Sequence, residues 1–159
     1  MANSAIGARA EEPARNLALI NYALLFSSIF FAGVTALIAV VIAYSQRDDA
    51  PPTLRSHHDF QIRIFWIAFG LTVAAGLSIL GAAIGVVAEL LEVTRLHGWN
   101  GWGEVRVELS RLSLGPFTVL AAVLAGAFWF LTCLWLAAAP LLGFIRLASA
   151  QGMGHSARL

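Results

Sequence analysis

The polar chemistry of this chain is concentrated in residues 56–66, which read SHHDFQIRIFW and lie between two long apolar stretches. On a helix, His57 and Gln61 would share one face, because residues four apart are neighbours on the helix surface. Asp59 and Arg63 have the same spacing and are predicted to form an ion pair. This pattern predicts polar contacts close to a membrane surface.

Two interpretations of this segment stay open. In the first, it anchors the chain at the membrane surface, where the Arg63 guanidinium reaches water beside the Trp66 ring. In the second, its side chains line a polar cavity or contact a ligand at the mouth of a helical bundle. The residues of that candidate site are His57, His58, Asp59, Gln61, Arg63 and Trp66.

Catalysis and metal binding are not supported by the residue types or their spacing. Adjacent His57 and His58 would project about 100° apart on a helix and would be poor joint ligands for one metal. A haem would need axial ligands facing each other inside the bundle, and all four histidines lie outside the centres of the apolar blocks. The lone Cys133 cannot form an internal disulfide. We therefore expect no catalytic residues, no metal, no cofactor and no enzymatic activity.

Composition indicates an integral membrane protein. Hydrophobic residues make up 59% of the chain and charged residues only 12%, and the formal net charge is +1. Apolar stretches longer than about 18 residues are typical of membrane spans. The near-neutral charge gives no basic surface for nucleic acid, so the expected partners are the lipid bilayer and other membrane proteins.

The predicted fold is an all-α membrane protein, a small helical bundle built from three long apolar segments in a single domain covering residues 17–147. Flexible tails are expected on either side of that domain. The apolar segments are 17–44, 60–91 and 117–147, the polar loops are 45–58 and 96–116, and the tails are 1–16 and 148–159.

The first apolar segment has two possible structures. As one straight helix its 28 residues (17–44) would be about 42 Å long, which exceeds the roughly 30 Å hydrocarbon core. One solution is a tilted span. The other is a break near residues 27–33, which gives a two-helix hairpin, a four-helix architecture and a turn that would need protein around it.

Small residues at four-residue spacing predict close helix packing. Gly81 and Gly85 have this spacing in the second segment, and Ala122 and Gly126 have it in the third. In the loop between these segments, Trp99 and Trp102 flank an Asn-Gly turn signal and are expected to contact the membrane interface or a partner. The alternation that follows at 104–109 predicts a short strand.

The distribution of arginine predicts the orientation. If the first segment enters and returns, seven of the ten arginines lie on the side of the loop at 45–58 and three on the other. Arginine is enriched on the cytoplasmic side of membrane proteins. We therefore expect loop 45–58 and the C-terminus to be cytoplasmic and the loop with the two tryptophans to be periplasmic.

Several short runs resemble an uncharacterised family of small bacterial multi-span membrane proteins, which is distantly similar to the import-channel component of the chloroplast inner envelope. The matching runs are 22–25, 33–44, 56–57, 60–63 and 65–66, with a weaker match at 143–146. The resemblance implies a helical bundle in the bacterial inner membrane with the His–Gln–Arg segment on the cytoplasmic side.

Three functions are consistent with this sequence. The first is an accessory or structural subunit, or an assembly factor, of a larger membrane complex, because small-residue faces occur without catalytic groups. The second is transport or protein translocation, which depends on the family resemblance alone. The third is binding of a lipid or quinone near His57, Arg63 and Trp66.

Overall fold

The protein folds into helices. The computed structural model describes residues 2–97, 114–149 and 151–153, and it contains four helices and no strand in those ranges. The helices are α1 (Ala2–Ser27), α2 (Val34–Arg47), α3 (Pro52–His97) and α4 (Pro116–Ala148). The predicted all-α class is confirmed. The predicted strand at 104–109 and both loop tryptophans, Trp99 and Trp102, lie outside the described residues.

The chain forms two compact units, and the two longest helices contribute to both. The first unit contains Met1–Gly70 and Thr132–Leu159, and the second contains Leu71–Leu131. The first unit therefore includes α1, α2, the beginning of α3 and the end of α4.

The first apolar segment is broken into a hairpin, which was one of the two predicted solutions. The chain turns between Ser27 and Val34, and the turn places Ala32 (φ 49°) and Gly33 (φ 83°) in the left-handed region. A helix cannot continue through such backbone angles, so α1 ends before them. The buried alanines of α2, Ala36 and Ala39, belong to the core of the first unit.

Two helices begin earlier in the chain than the predicted apolar segments. Residues 2–16, predicted as a flexible tail, are helical and continuous with the apolar part of α1. Alanine, glutamate and arginine are strong helix formers, and the helix runs through Pro13 without ending there. The second long helix begins at Pro52, within the predicted polar loop 45–58. Proline fits the first helical position because its missing N–H would be unpaired there.

The second unit packs α3 against α4 through glycines. A Cβ atom on Gly85 would collide with the Thr118 side chain, and one on Gly81 would lie 3.8 Å from Phe117 and Ala121. Glycine at position 85 therefore permits close approach of the helices, whereas a methyl group at position 81 would be in ordinary van der Waals contact.

The two small residues predicted on the partner helix do not share this contact. Ala122 is exposed, and a Cβ atom on Gly126 would have no neighbour within 4 Å in the described chain.

A carboxylate completes the start of α4 in the same unit. Glu89 accepts hydrogen bonds from the Gly115 amide at 2.5 Å and from the Thr118 hydroxyl at 2.9 Å. The first amides of a helix have no partner within the helix, so an acidic side chain there stabilises the helix end.

In the part of the chain that the structure describes, two helices are long and apolar enough to cross a membrane. They are Pro52–Glu92 of α3 and Pro116–Ala148 of α4. The first predicted segment, 17–44, does not meet this criterion, because its break leaves α2 with only 14 residues.

Candidate functional site

The beginning of α3 directs polar side chains into the first unit rather than outward. His57, Gln61 and Ile64 are completely buried, and their four- and three-residue spacing places them on one helix face. His58 is also buried. A buried polar group must find hydrogen-bonding partners inside the protein, because its loss of water is otherwise costly.

Gln61 lies at the centre of the first set of contacts. Its Nε2 donates to the Ala18 carbonyl at 3.0 Å, and its Oε1 accepts from Asn21 Nδ2 at 2.8 Å. The same oxygen is 3.1 Å from His58 Nδ1. A carbonyl only accepts, so the Ala18 contact fixes the orientation of the amide. The His58 contact then requires a proton on Nδ1.

His57 links α1 to the residues that follow α4. Its Nε2 lies 2.8 Å from the Gln151 carbonyl, which can only accept, so this nitrogen carries a proton. In the neutral ring Nδ1 is then an acceptor, and the Tyr22 hydroxyl lies 2.9 Å from it. The two rings meet edge to face at a centroid distance of 5.9 Å. The contacts on both ring nitrogens therefore specify one tautomer.

Further contacts hold the end of α4 in this unit. The Met153 amide donates to the Ser56 hydroxyl at 3.0 Å. The Arg15 guanidinium donates to the Ala148 carbonyl at 2.8 Å and to the Leu147 carbonyl at 3.4 Å. The last carbonyls of a helix lack intrahelical partners, and a cation there also matches the helix dipole.

Close packing accompanies the hydrogen bonds. A Cβ atom on Gly143 of α4 would overlap the ring of Tyr22. Trp135, also on α4, donates its indole N–H to the Ile64 carbonyl at 3.2 Å. These contacts place α1, α3 and α4 around one core. We call the side chains of Asn21, Tyr22, His57, His58 and Gln61 the polar network.

The other predicted site residues lie outside the polar network. Asp59 pairs with Arg47 at 2.6 Å, so the predicted pair with Arg63 is wrong. An ion pair with α2 replaces it, because the short connection at 48–51 places the last turn of α2 beside the start of α3. Trp66 is exposed and donates to the Tyr44 hydroxyl at 3.1 Å. Arg63 is exposed as well.

The six predicted residues therefore do not line one cavity. His57, His58 and Gln61 face the core of the unit, and the remaining three face outward. Of the residues in the polar network, Asn21 and Tyr22 were not predicted as site residues. An asparagine within an apolar segment is a usable signal, because such a residue needs a polar partner at depth.

The chemistry available in the polar network is limited. Among the residues that the structure describes, there is no group of three or more side chains able to hold a metal ion. Within the same ranges, Asn21 Oδ1 is buried without a hydrogen bond. Asn21 Nδ2, the oxygen and nitrogen of the Gln61 amide and His58 Nδ1 are all hydrogen-bonded. The arrangement is suited to joining helices.

Comparison with known proteins adds no relative. No protein-family model, no curated protein and no solved structure matches this chain. The family resemblance described above stays a prediction.

Proposed function

We propose that this chain is a small multi-pass protein of the bacterial inner membrane that serves as a non-catalytic accessory subunit or assembly factor of a larger membrane complex. The observation that carries the proposal is the outward apolar surface of α3 and α4. In the most apolar stretch of α3, only 6% of the stretch is buried within the chain, and in the most apolar stretch of α4 the buried share is 22%.

The exposure of this surface favours a non-aqueous environment. Leu77 and Ile84 of α3 and Val123 of α4 are each at least 60% exposed. Soluble monomers rarely expose large contiguous apolar patches, so lipid or other membrane proteins are the expected surroundings. Both helices also meet the length needed for a bilayer.

The polar network favours a structural role over catalysis. Its contacts join residues of α1 and α3 that are 35 to 43 positions apart, and His57 reaches Gln151 across 94 positions. The polar groups of the network already use their hydrogen-bonding atoms in contacts with one another. A protein organised in this way presents its apolar surface to partners and keeps its polar side chains inside.

The charged residues near the hairpin base support a water boundary at that level. Arg47 and Asp59 form an exposed ion pair, and Arg55 lies 3.9 Å from Asp48. The contacts of Gln151 and Met153 with the start of α3 place the C-terminal residues at the same end of this unit. We propose that this end faces the cytoplasm.

Extraction and native electrophoresis test the proposal. The full chain, tagged at its own chromosomal locus, should remain in the membrane pellet after alkaline carbonate washing. After mild detergent extraction it should migrate in an assembly well above its own 17.0 kDa plus detergent. Release by carbonate would contradict membrane insertion. Migration only as a small free species would contradict a role within a complex.

A further inference from the structure

We propose that His57 forms an acid-sensitive contact with the chain that follows α4, and that this part of the chain detaches from the start of α3 when the His57 ring takes up a proton. We call residues 151–153 the C-terminal strap. All the contacts that carry this inference lie within the first unit. The inference therefore depends neither on the proposed membrane location nor on a partner protein.

The C-terminal strap lies against the start of α3 through two described hydrogen bonds. The Gln151 carbonyl accepts from His57 Nε2 at 2.8 Å, and the Met153 amide donates to the Ser56 hydroxyl at 3.0 Å. The Gln151 amide donates back to the Arg146 carbonyl at 2.8 Å, which closes the end of α4. One of the two bonds between the strap and α3 therefore depends on the state of the His57 ring.

The surroundings of His57 suit a neutral ring. The side chain is completely buried, and a buried charge is costly unless a partner compensates it. Both ring nitrogens are in use, Nε2 as a donor to the strap and Nδ1 as an acceptor from the Tyr22 hydroxyl at 2.9 Å. A proton added at Nδ1 would point at this hydroxyl, whose own hydrogen would have to turn towards the His57 carbonyl at 3.5 Å. Protonation therefore leaves one hydrogen of the pair poorly accommodated.

The charged groups near His57 add to the cost of a protonated ring. Arg146 of α4 places a positive charge near it, and the adjacent His58 of α3 places a second one there when it is protonated. On the side of α1, the group in contact is the uncharged Tyr22 hydroxyl, and the Arg15 guanidinium lies at the Ala148 carbonyl at the end of α4. Like charges near each other are unfavourable, so these neighbours oppose a cation at His57.

The carboxylates close to the start of α3 are engaged elsewhere. Asp59 pairs with Arg47 at 2.6 Å, and Asp48 lies 3.9 Å from Arg55. In the described part of the chain, no carboxylate forms an ion pair with His57. The His57 ring would therefore carry a positive charge more easily in water than in the first unit.

Acid favours the detached form of the strap. When the strap leaves, the His57 ring loses its carbonyl partner and can reach water, where a histidine titrates near pH 6.5, to within about a unit. The detached form then binds more protons than the docked form, so a falling pH shifts the equilibrium towards detachment. Uptake of one proton predicts that the docking equilibrium constant falls by up to about tenfold for each pH unit below about 6.5.

His58 provides a comparison within the same turn of α3, because a second proton would leave its described contact intact. Its Nδ1 already carries a proton and donates to Gln61 Oε1 at 3.1 Å. The second proton would therefore bind at Nε2. The acid response of the strap should accordingly belong to His57.

Spin labels on the full chain in detergent micelles test the detachment. The labels are attached through Thr53→Cys and Gln151→Cys, which change two exposed side chains, and Cys133→Ser removes the native thiol. The detergent mixture is chosen so that docked and detached populations are both present at about pH 7.5, and the pH is then lowered to about 5. The fraction of chains with the short distance between labels should fall, by up to about tenfold in the docking equilibrium constant per pH unit below about 6.5.

Two substitutions assign the response to one ring. His57→Gln keeps an uncharged donor and acceptor at this position, so its docked fraction should stay constant over the same pH range. His58→Gln should keep the full response. A parent chain that is docked equally at every pH would overturn the proposal. A parental response in His57→Gln would do the same, as would loss of the response in His58→Gln.

Nitrogen NMR of the histidine rings in the parent chain decides the matter even where His57→Gln does not fold. At about pH 7.5 the His57 ring should carry its proton on Nε2, and its protonation should occur in the same pH step as the separation of the labels. Protonation of His57 while the labels stay close would refute the inference.

Discussion

Replacing Gln61 with leucine should destabilise the first unit strongly, because one side chain completes hydrogen bonds for three buried partners. Gln61→Leu keeps a similar volume but removes the bonds to the Ala18 carbonyl, the Asn21 amide and the His58 ring. All three partners would stay buried without their bond to residue 61.

The expected loss follows from these three bonds. Hydrogen bonds within membrane proteins contribute about 0.6 kcal/mol each on average, which gives about 2 kcal/mol as a lower figure. Stranding a buried polar partner in a soluble protein costs about 1–3 kcal/mol, and about 1.5 for each of three gives about 5 kcal/mol. We therefore expect the free energy of unfolding to fall by about 2–5 kcal/mol.

Titration with a denaturing detergent in mixed micelles, followed by circular dichroism, measures this free energy. Gln46→Leu makes the same chemical change on an exposed side chain and should alter stability by less than about 0.5 kcal/mol. The double variant Asn21→Leu/Gln61→Leu should lose less than the sum of the single variants, because both members of one bond are then absent. Equal losses for Gln61→Leu and Gln46→Leu, or strict additivity in the double variant, would refute the reasoning.

The remaining predictions use the same measurement. Tyr22→Phe should cost about 1 kcal/mol, because His57 Nδ1 loses the hydroxyl beside it. Gly143→Ala should cost about 1–3 kcal/mol, because the new methyl group would overlap the Tyr22 ring. Glu89→Ala should cost about 1 kcal/mol, because the Gly115 amide loses its acceptor.

Matched controls separate these causes from general sensitivity to substitution. Tyr44→Phe removes a hydroxyl whose one bond, from the Trp66 indole, is exposed and not buried, Gly126→Ala adds a methyl group where no described atom lies within 4 Å, and Glu92→Ala removes an exposed carboxylate. Each should change stability by less than about 0.5 kcal/mol. A control that costs as much as its partner variant would contradict the assigned contact.

The helical class could be predicted from the sequence, and the break in the first segment was one of two alternatives that the sequence left open. Apolar length indicates a helix, and an apolar stretch too long for one span suggested a break near residues 27–33. The beginnings of α1 and α3 were less predictable. Helix propensity and Pro52 at the first helical position extended both helices into polar sequence.

The polar network could be predicted only in part. Spacing placed His57 and Gln61 on one face, but it did not indicate whether that face meets water, lipid or another helix. Their partners Asn21 and Tyr22 are about 40 positions away in the chain. The spacing of residues within one helix does not indicate which distant residues pack against it. The Asp59–Arg63 spacing suggested a local ion pair, but tertiary structure supplied Arg47 instead.

The discontinuous makeup of the first unit has a consequence for synthesis. Residues up to Gly70 leave the ribosome long before Thr132 and the stretch that completes their unit. Until Gln151 is made, His57 lacks its carbonyl acceptor, and Arg15 must wait for the end of α4. A prematurely terminated product would therefore lack the contacts from the end of α4 that complete the first unit.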